Sequence, residues 1–207
     1  MNKVTWAKVA INLATFSFLI YLFVGLFLSW LGPNPVEVII HQTGEWSLHF
    51  LLATLAISPL RRRFHWNVLI KFRRFLGLWA FAFVSLHLLV FLFFDHFFDW
   101  ISILEDVLDR LYITVGFVGF VLMLPLAITS LKSLQKAMGK RWITLHRLVY
   151  AVGIAGIVHY WWLVKADNFW PLVYSTVLVA LLGERLLSFY KKYASKKRPL
   201  LTRDAPR

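Results

Sequence analysis

The sequence predicts an all-α membrane protein: a six-transmembrane-helix bundle with both termini cytoplasmic. Three observations predict it. The 207 residues are 59% hydrophobic and 16% charged, whereas a soluble domain is nearer half apolar and about 25% charged. The apolar residues fall into six runs joined by short polar connectors, and about 20 apolar residues cross a bilayer as a helix. The basic residues alternate in side: 20 Lys and Arg fall in the connectors assigned to one face and 2 in those of the other, which is the pattern of a membrane orientation signal.

Taken in order, Lys3 and Lys8 precede a first run from Val9 to Leu31. It is too long for the apolar core of a signal peptide, and Leu-Gly-Pro-Asn-Pro follows it, so it reads as a retained span. Residues 32–45 form a loop without Lys or Arg. The second span runs from Trp46 to Leu60, with Pro59 at its end and Arg61, Arg62 and Arg63 beyond. Arg73 and Arg74 open the third, which ends near Phe94. Residues 95–111 carry five acids and read as an external loop. The fourth covers Tyr112 to Leu131, with Pro125 as a kink that neighbouring helices accommodate. Lys132, Lys136, Lys140 and Arg141 lead into the fifth, which reaches Lys165; a turn to Phe169 leads into the sixth, Trp170 to Phe189. The reading is one transmembrane domain, 1–190, and a basic cytoplasmic tail, 191–207, solvated or resting on anionic lipid headgroups. No internal repeat stands out.

Composition also excludes. A net charge of +13 suggests nucleic acid, but its confinement to the ends of apolar runs assigns it to membrane lipid instead. The absence of cysteine rules out disulfides, iron–sulfur clusters and covalent heme attachment through CxxCH.

The histidines carry the chemistry. Four of the seven, His49, His87, His146 and His159, fall inside spans, where ionisable groups are costly and therefore functional by default. Spans three and five run in the same direction. His87 lies eight residues before Asp95 and His159 six before Lys165, so they sit about 12 and 9 Å below the outer boundary. Two imidazoles at one depth clamp a heme iron from both faces; the bland alternative is that each bonds a neighbouring helix. His146 lies about 19.5 Å from His159 along a straight helix, near the inner leaflet. Arg73 and Arg74 share that depth, and arginine pairs with heme propionates. His146 therefore holds a second, inner heme, with His49 as a candidate partner, or stands behind the ligands. His41, His65 and His96 read as solvated loop residues.

The stretches Arg73-Arg-Phe-Leu-Gly-Leu-Trp with Leu-His87-Leu, Tyr112-Ile-Thr-Val-Gly with Leu-Pro-Leu-Ala-Ile-Thr-Ser130, Gly139-Lys-Arg-Trp-Ile-Thr-Leu-His146-Arg-Leu-Val-Tyr and His159-Tyr-Trp-Trp-Leu-Val-Lys resemble the MsrQ (YedZ) family. These are heme-binding membrane subunits within the ferric-reductase-like transmembrane superfamily. The resemblance covers Lys8 to Lys192. It implies a multi-pass b-type cytochrome of the bacterial inner membrane, carrying one heme b or two, and FMN. Such a subunit passes electrons from the quinone pool to a periplasmic molybdopterin-containing methionine sulfoxide reductase that repairs oxidised proteins. It is an electron-transfer subunit and not the catalytic one. His87, His146 and His159 match the family's heme histidines. Larger relatives carry two histidines on span three; Arg74 stands where the second falls.

Two other functions compete. A stand-alone transmembrane ferric or flavin-linked reductase needs a separate soluble flavin reductase, since no GxGxxG follows a strand here. A proton-relaying transporter calls for a line of intramembrane acids, and Glu184 is the one candidate.

Overall fold

The structure, a computed structural model, describes residues 2–164 and 168–197. Among them it is all helix: α1 (Lys3–Leu28), α2 (Pro35–Phe64), a 3-10 segment (Asn67–Phe72), α3 (Arg73–Val90), a π turn (Phe91–Asp95), α4 (Trp100–Asp109), α5 (Leu111–Ile128), α6 (Lys132–Met138), α7 (Lys140–Leu145), α8 (Leu148–Leu163) and α9 (Phe169–Lys197). Five helical stretches are long and apolar enough to cross a membrane: Lys3–Leu28, Asn67–Asp95, Leu111–Ile128, Lys140–Leu163 and Phe169–Ala194. The chain is a multi-pass membrane protein, and the large side chains it leaves outside, such as Phe16, Phe23, Leu172 and Val179, are those a lipid-facing surface tolerates. The stretch expected as a second span lies in α2. Glu45 and His49 lower its hydropathy, yet it carries much of the buried core, including Leu48, Leu51 and Leu55.

Four expectations change. The loop expected at 32–45 is helical from Pro35 onward. Asn34 caps it: its Oδ1 accepts from the Glu37 backbone N–H at 3.3 Å and its Nδ2 donates to Glu37 Oε2 at 2.9 Å, while Pro35 supplies a first residue with φ already set. The expected external loop 95–111 contains α4, capped by Asp99, whose Oδ1 accepts from the backbone of Ile101 and Ser102. The fifth span is not one straight helix. His146 and Arg147 form a tightened turn between α7 and α8, with the Arg147 N–H bonded to the Thr144 carbonyl and the Tyr150 N–H to that of Arg147, the i→i−3 pattern of a 3-10 turn. The last helix continues past Phe189 to Lys197. The expected turn at residues 165–167 and the tail from Arg198 lie outside the described residues.

The bundle is built from two hairpin-like pairs. α2 packs most extensively on α3, and α5 on α8. Small residues allow the close approach: Ala80 is fully buried, and its carbonyl accepts from Ser47 Oγ at 3.1 Å across α2 and α3. Phe83, 1% exposed, anchors an aromatic stack with Phe50 and Trp79 at centroid distances of 5.5 and 6.1 Å. Leu55, Leu126, Val149 and Leu178 continue the core between the pairs.

Candidate functional site

α2, α3, α5 and α8 enclose a cavity of about 900 Å³, within the size range of cofactor pockets. Leu48, Leu51, Met123 and Val152 line it with buried apolar surface. His87 of α3 and His159 of α8 meet in it, their ring centroids 6.1 Å apart and their planes nearly perpendicular at 85°. Depth along two helices therefore identified a true neighbour pair.

Both imidazoles are held in one tautomer. His87 Nδ1 is 2.8 Å from the Ile40 carbonyl oxygen, and His159 Nδ1 is 2.6 Å from that of Tyr112. A carbonyl only accepts, so each Nδ1 carries the proton and each Nε2 keeps its lone pair, the arrangement that orients metal-binding histidine. Two glycines make room for the rings. A Cβ at Gly44 stands 3.1 Å from His87 Nδ1, and one at Gly116 stands 2.7 Å from His159 Nδ1. Metal–imidazole bonds of about 2 Å on opposite sides of one ion separate two ring centroids by roughly 6 Å. Among the described residues no group of three His, Cys, Asp or Glu is placed to hold a bare metal ion. The pair thus suits an iron whose remaining ligands arrive with it, as a macrocycle supplies them, and the residues present fit a heme.

The site is also duplicated. Acceptor carbonyl, glycine and histidine occur as Ile40, Gly44 and His87 in the first pair of helices, and as Tyr112, Gly116 and His159 in the second. The carbonyl-to-histidine separation is 47 residues in both. Every member is shifted by the same 72 positions, and the shift carries Leu48 onto Phe120, Leu51 onto Met123 and Val84 onto Gly156, all lining the cavity. The expectation of no internal repeat is corrected: few of the paired residues are identical, so only geometry exposes the correspondence. Gly44 and the two carbonyls were missed in the sequence, and the equal spacing is the signal that points to them.

A second cavity of about 340 Å³ lies beyond Leu51 and Met123, which line both. It brings together Arg73, Arg74 and His146, as their common depth implied. The shift of 72 places His146 opposite Arg74, so the second pair of ligand positions holds one imidazole and one guanidinium. The His146 ring lies 4.0 Å from that of Trp142, and its Nε2 is 3.1 Å from Thr129 Oγ1. His49 does not join it; its Nε2 is 2.8 Å from the Tyr174 hydroxyl on α9. His96 is not a free loop residue either. It is bonded through Nδ1 to Ser102 at 3.0 Å and paired through Nε2 with Asp106 at 3.3 Å.

Curated relatives match most of this chain. One from Herminiimonas arsenicoxydans is 51% identical over 165 residues, 78% of this chain and 76% of the relative. One from Rhodospirillum rubrum is 44% identical over 82% of each chain. One from Azospira oryzae is 48% identical over 79% of this chain and 71% of its own. Each is named a protein-methionine-sulfoxide reductase heme-binding subunit MsrQ. This chain belongs to the MsrQ family. The family model for the ferric reductase like transmembrane component matches residues 42–157, which run from α2 into α8 and include His87 and His146 but not Ile40 or His159. The comparison with solved structures returned no match. In this MsrQ-family chain the paired histidines, their carbonyl partners and the two glycines are the residues the fold converges on.

Proposed function

We propose that this MsrQ-family chain is the b-type cytochrome subunit of a protein-methionine-sulfoxide reductase in a bacterial inner membrane, passing electrons from the quinone pool to a periplasmic molybdopterin-containing catalytic subunit. The observation that carries the reading is the His87–His159 pair, 6.1 Å apart with each Nδ1 tied to a backbone carbonyl. The relatives' name, heme-binding subunit, supports the same cofactor. His87 and His159 would hold the iron of a heme bound there, which would supply reversible one-electron chemistry. The carbonyls of Ile40 and Tyr112 hold the rings in place and raise their basicity. Leu48, Leu51, Met123 and Val152 keep water from the deep side.

In the inner cavity Arg73 and Arg74 take an anionic group, the propionates of a second heme or the phosphate of FMN, beside His146. α2 is the sixth crossing and both termini are cytoplasmic, which the basic asymmetry supports. The external docking face for the catalytic subunit is α4 and the turn before it, where Phe97, Trp100, Ile101, Glu105 and Asp109 are exposed. Asp99 and Asp106 are occupied as a helix cap and an ion-pair partner, so docking charge resides in Glu105 and Asp109.

Absorption spectra of the purified protein are expected to show low-spin heme b, lost on His87→Ala or His159→Ala, with His146→Ala leaving the low-spin signal of the outer heme. Reduced protein in membranes should be reoxidised when methionine sulfoxide and the molybdenum subunit are both added, more slowly with Glu105→Lys and Asp109→Lys. Reoxidation at the same rate without that subunit would replace this reading with a stand-alone reductase fed by a soluble flavin reductase.

A further inference from the structure

α2 carries two polar side chains, Glu45 and His49, that run from the large cavity to the outside of the bundle. Glu45 lines the large cavity and accepts from the Tyr160 hydroxyl at 3.2 Å. One turn on, His49 is exposed, its ring centroid 5.4 Å from those of both Trp46 and Tyr174, with the Tyr174 hydroxyl 2.8 Å from its Nε2. His49 lies twelve residues before Arg61, about 18 Å along the helix, and so within the hydrocarbon of a membrane about 30 Å thick. A titratable group facing lipid at that depth is costly. The repeat shows that the fold does not require it. The positions 72 residues on from Glu45 and His49 are Phe117 and Val121, each 44% exposed, so the equivalent outer stripe of α5 is apolar.

We propose that His49 and Tyr174, with Glu45 above them, form a lipid-facing site that binds and oxidises a hydroquinone. The site rests on the proposed function, giving its quinone-pool donor a place on the fold, and supplies the outer cavity, read as a heme site, with electrons. The surroundings suit that ligand. A molecule arriving through the bilayer face is lipid-soluble. Trp46 and the buried Tyr174 give the site aromatic walls beside the exposed His49 ring. In the tautomer whose Nε2–H donates to the Tyr174 oxygen, the His49 Nδ1 lone pair accepts a ligand O–H. Proton acceptors beside a redox cavity suit a donor that loses protons with its electrons. Oxidation breaks two O–H bonds and yields quinone, two protons and two electrons. His49 takes one proton and the Glu45 carboxylate the other, and the electrons would leave one at a time to the heme that the cavity lined by Glu45 would hold.

The test uses heme-loaded protein in proteoliposomes, mixed with decylubiquinol in a stopped-flow spectrometer. His49→Val copies the residue already present at the equivalent position of α5, and Tyr174→Phe keeps the ring. Both are expected to retain heme content and the dithionite-reduced spectrum. His49→Val should slow heme reduction by about a hundredfold, the scale of a lost general base, and Tyr174→Phe by about tenfold. A photoreactive azidoquinone should label the peptide holding His49 or Tyr174. Wild-type rates in both variants, or labelling confined to other helices, would overturn the proposal while leaving the heme reading intact. Wild-type protein without heme overturns that reading instead. If His49→Val lost its heme, Tyr174→Phe and the labelling pattern would decide.

Discussion

The two ring-backing glycines are not equivalent, and the difference is measurable. A methyl group at position 116 meets His159 Nδ1 at 2.7 Å, closer than real Cβ contacts come, whereas at position 44 it meets His87 Nδ1 at 3.1 Å. The first forces a shift at the ring nitrogen that bonds the Tyr112 carbonyl; the second needs a shift of a few tenths of an ångström. Gly116→Ala is therefore expected to lose most of the low-spin heme, and Gly44→Ala to keep most of it with an altered midpoint potential. Pyridine hemochromogen assay and potentiometric titration separate the two outcomes, and equal heme loss in both would contradict the geometry. The histidines were legible because an ionisable side chain in an apolar run is conspicuous. The glycines were not, since any glycine on a membrane helix is first explained by helix packing.

Helices add what residues alone do not specify. The repeated pairs α2–α3 and α5–α8 supply two ligand positions each, at residues 74 and 87 in one and 146 and 159 in the other. Three are histidine. Arg74→His should complete the inner pair with His146 and, where the wild type holds one heme, raise the heme bound per protein in the hemochromogen assay; a stoichiometry that stays at one would show that the inner cavity lacks the spacing of the outer one. α4 is held differently. Asp106 joins it to His96 at 3.3 Å and to Arg110 at 3.1 Å, fastening the helix beside the mouth of the large cavity, which all three residues line. Asp106→Ala should speed amide hydrogen exchange over residues 100–109 and leave the heme spectrum in place. By contrast, Arg62 and Glu184 pair at 2.5 Å on a surface where both are well exposed, and removing that pair is expected to cost under about 1 kcal/mol. The legibility of elements was uneven for a physical reason. Long apolar runs announce helices, but α2 mixes Glu45 and His49 into a core helix, and α4 is too short and acidic to read as more than a loop until the Asp99 cap is seen.

At the scale of the whole molecule, orientation is the open quantity that charge predicts. The chain has no cysteine, so single replacements report unambiguously: Ser102→Cys should react with an impermeant maleimide added outside spheroplasts and Ser133→Cys only after lysis. The reverse result would invert the molecule and put the His87–His159 cavity near the cytoplasm. The amino-acid order by itself determined that this is a helical membrane protein, which histidines lie at one depth, and that Arg73, Arg74 and His146 share another. Composition, charge asymmetry and 1.5 Å per residue are local properties, additive along the chain, and they survive without knowledge of neighbours. Tertiary structure alone decided that His87 faces His159, that the carbonyls of Ile40 and Tyr112 set their tautomers, and that His49 turns to Tyr174 and away from His146. Those outcomes depend on helix rotation and on which helices adjoin. Both are set by packing among residues dozens of positions apart, where small residues such as Ala80, Gly44 and Gly116 admit a neighbour and bulky ones exclude it.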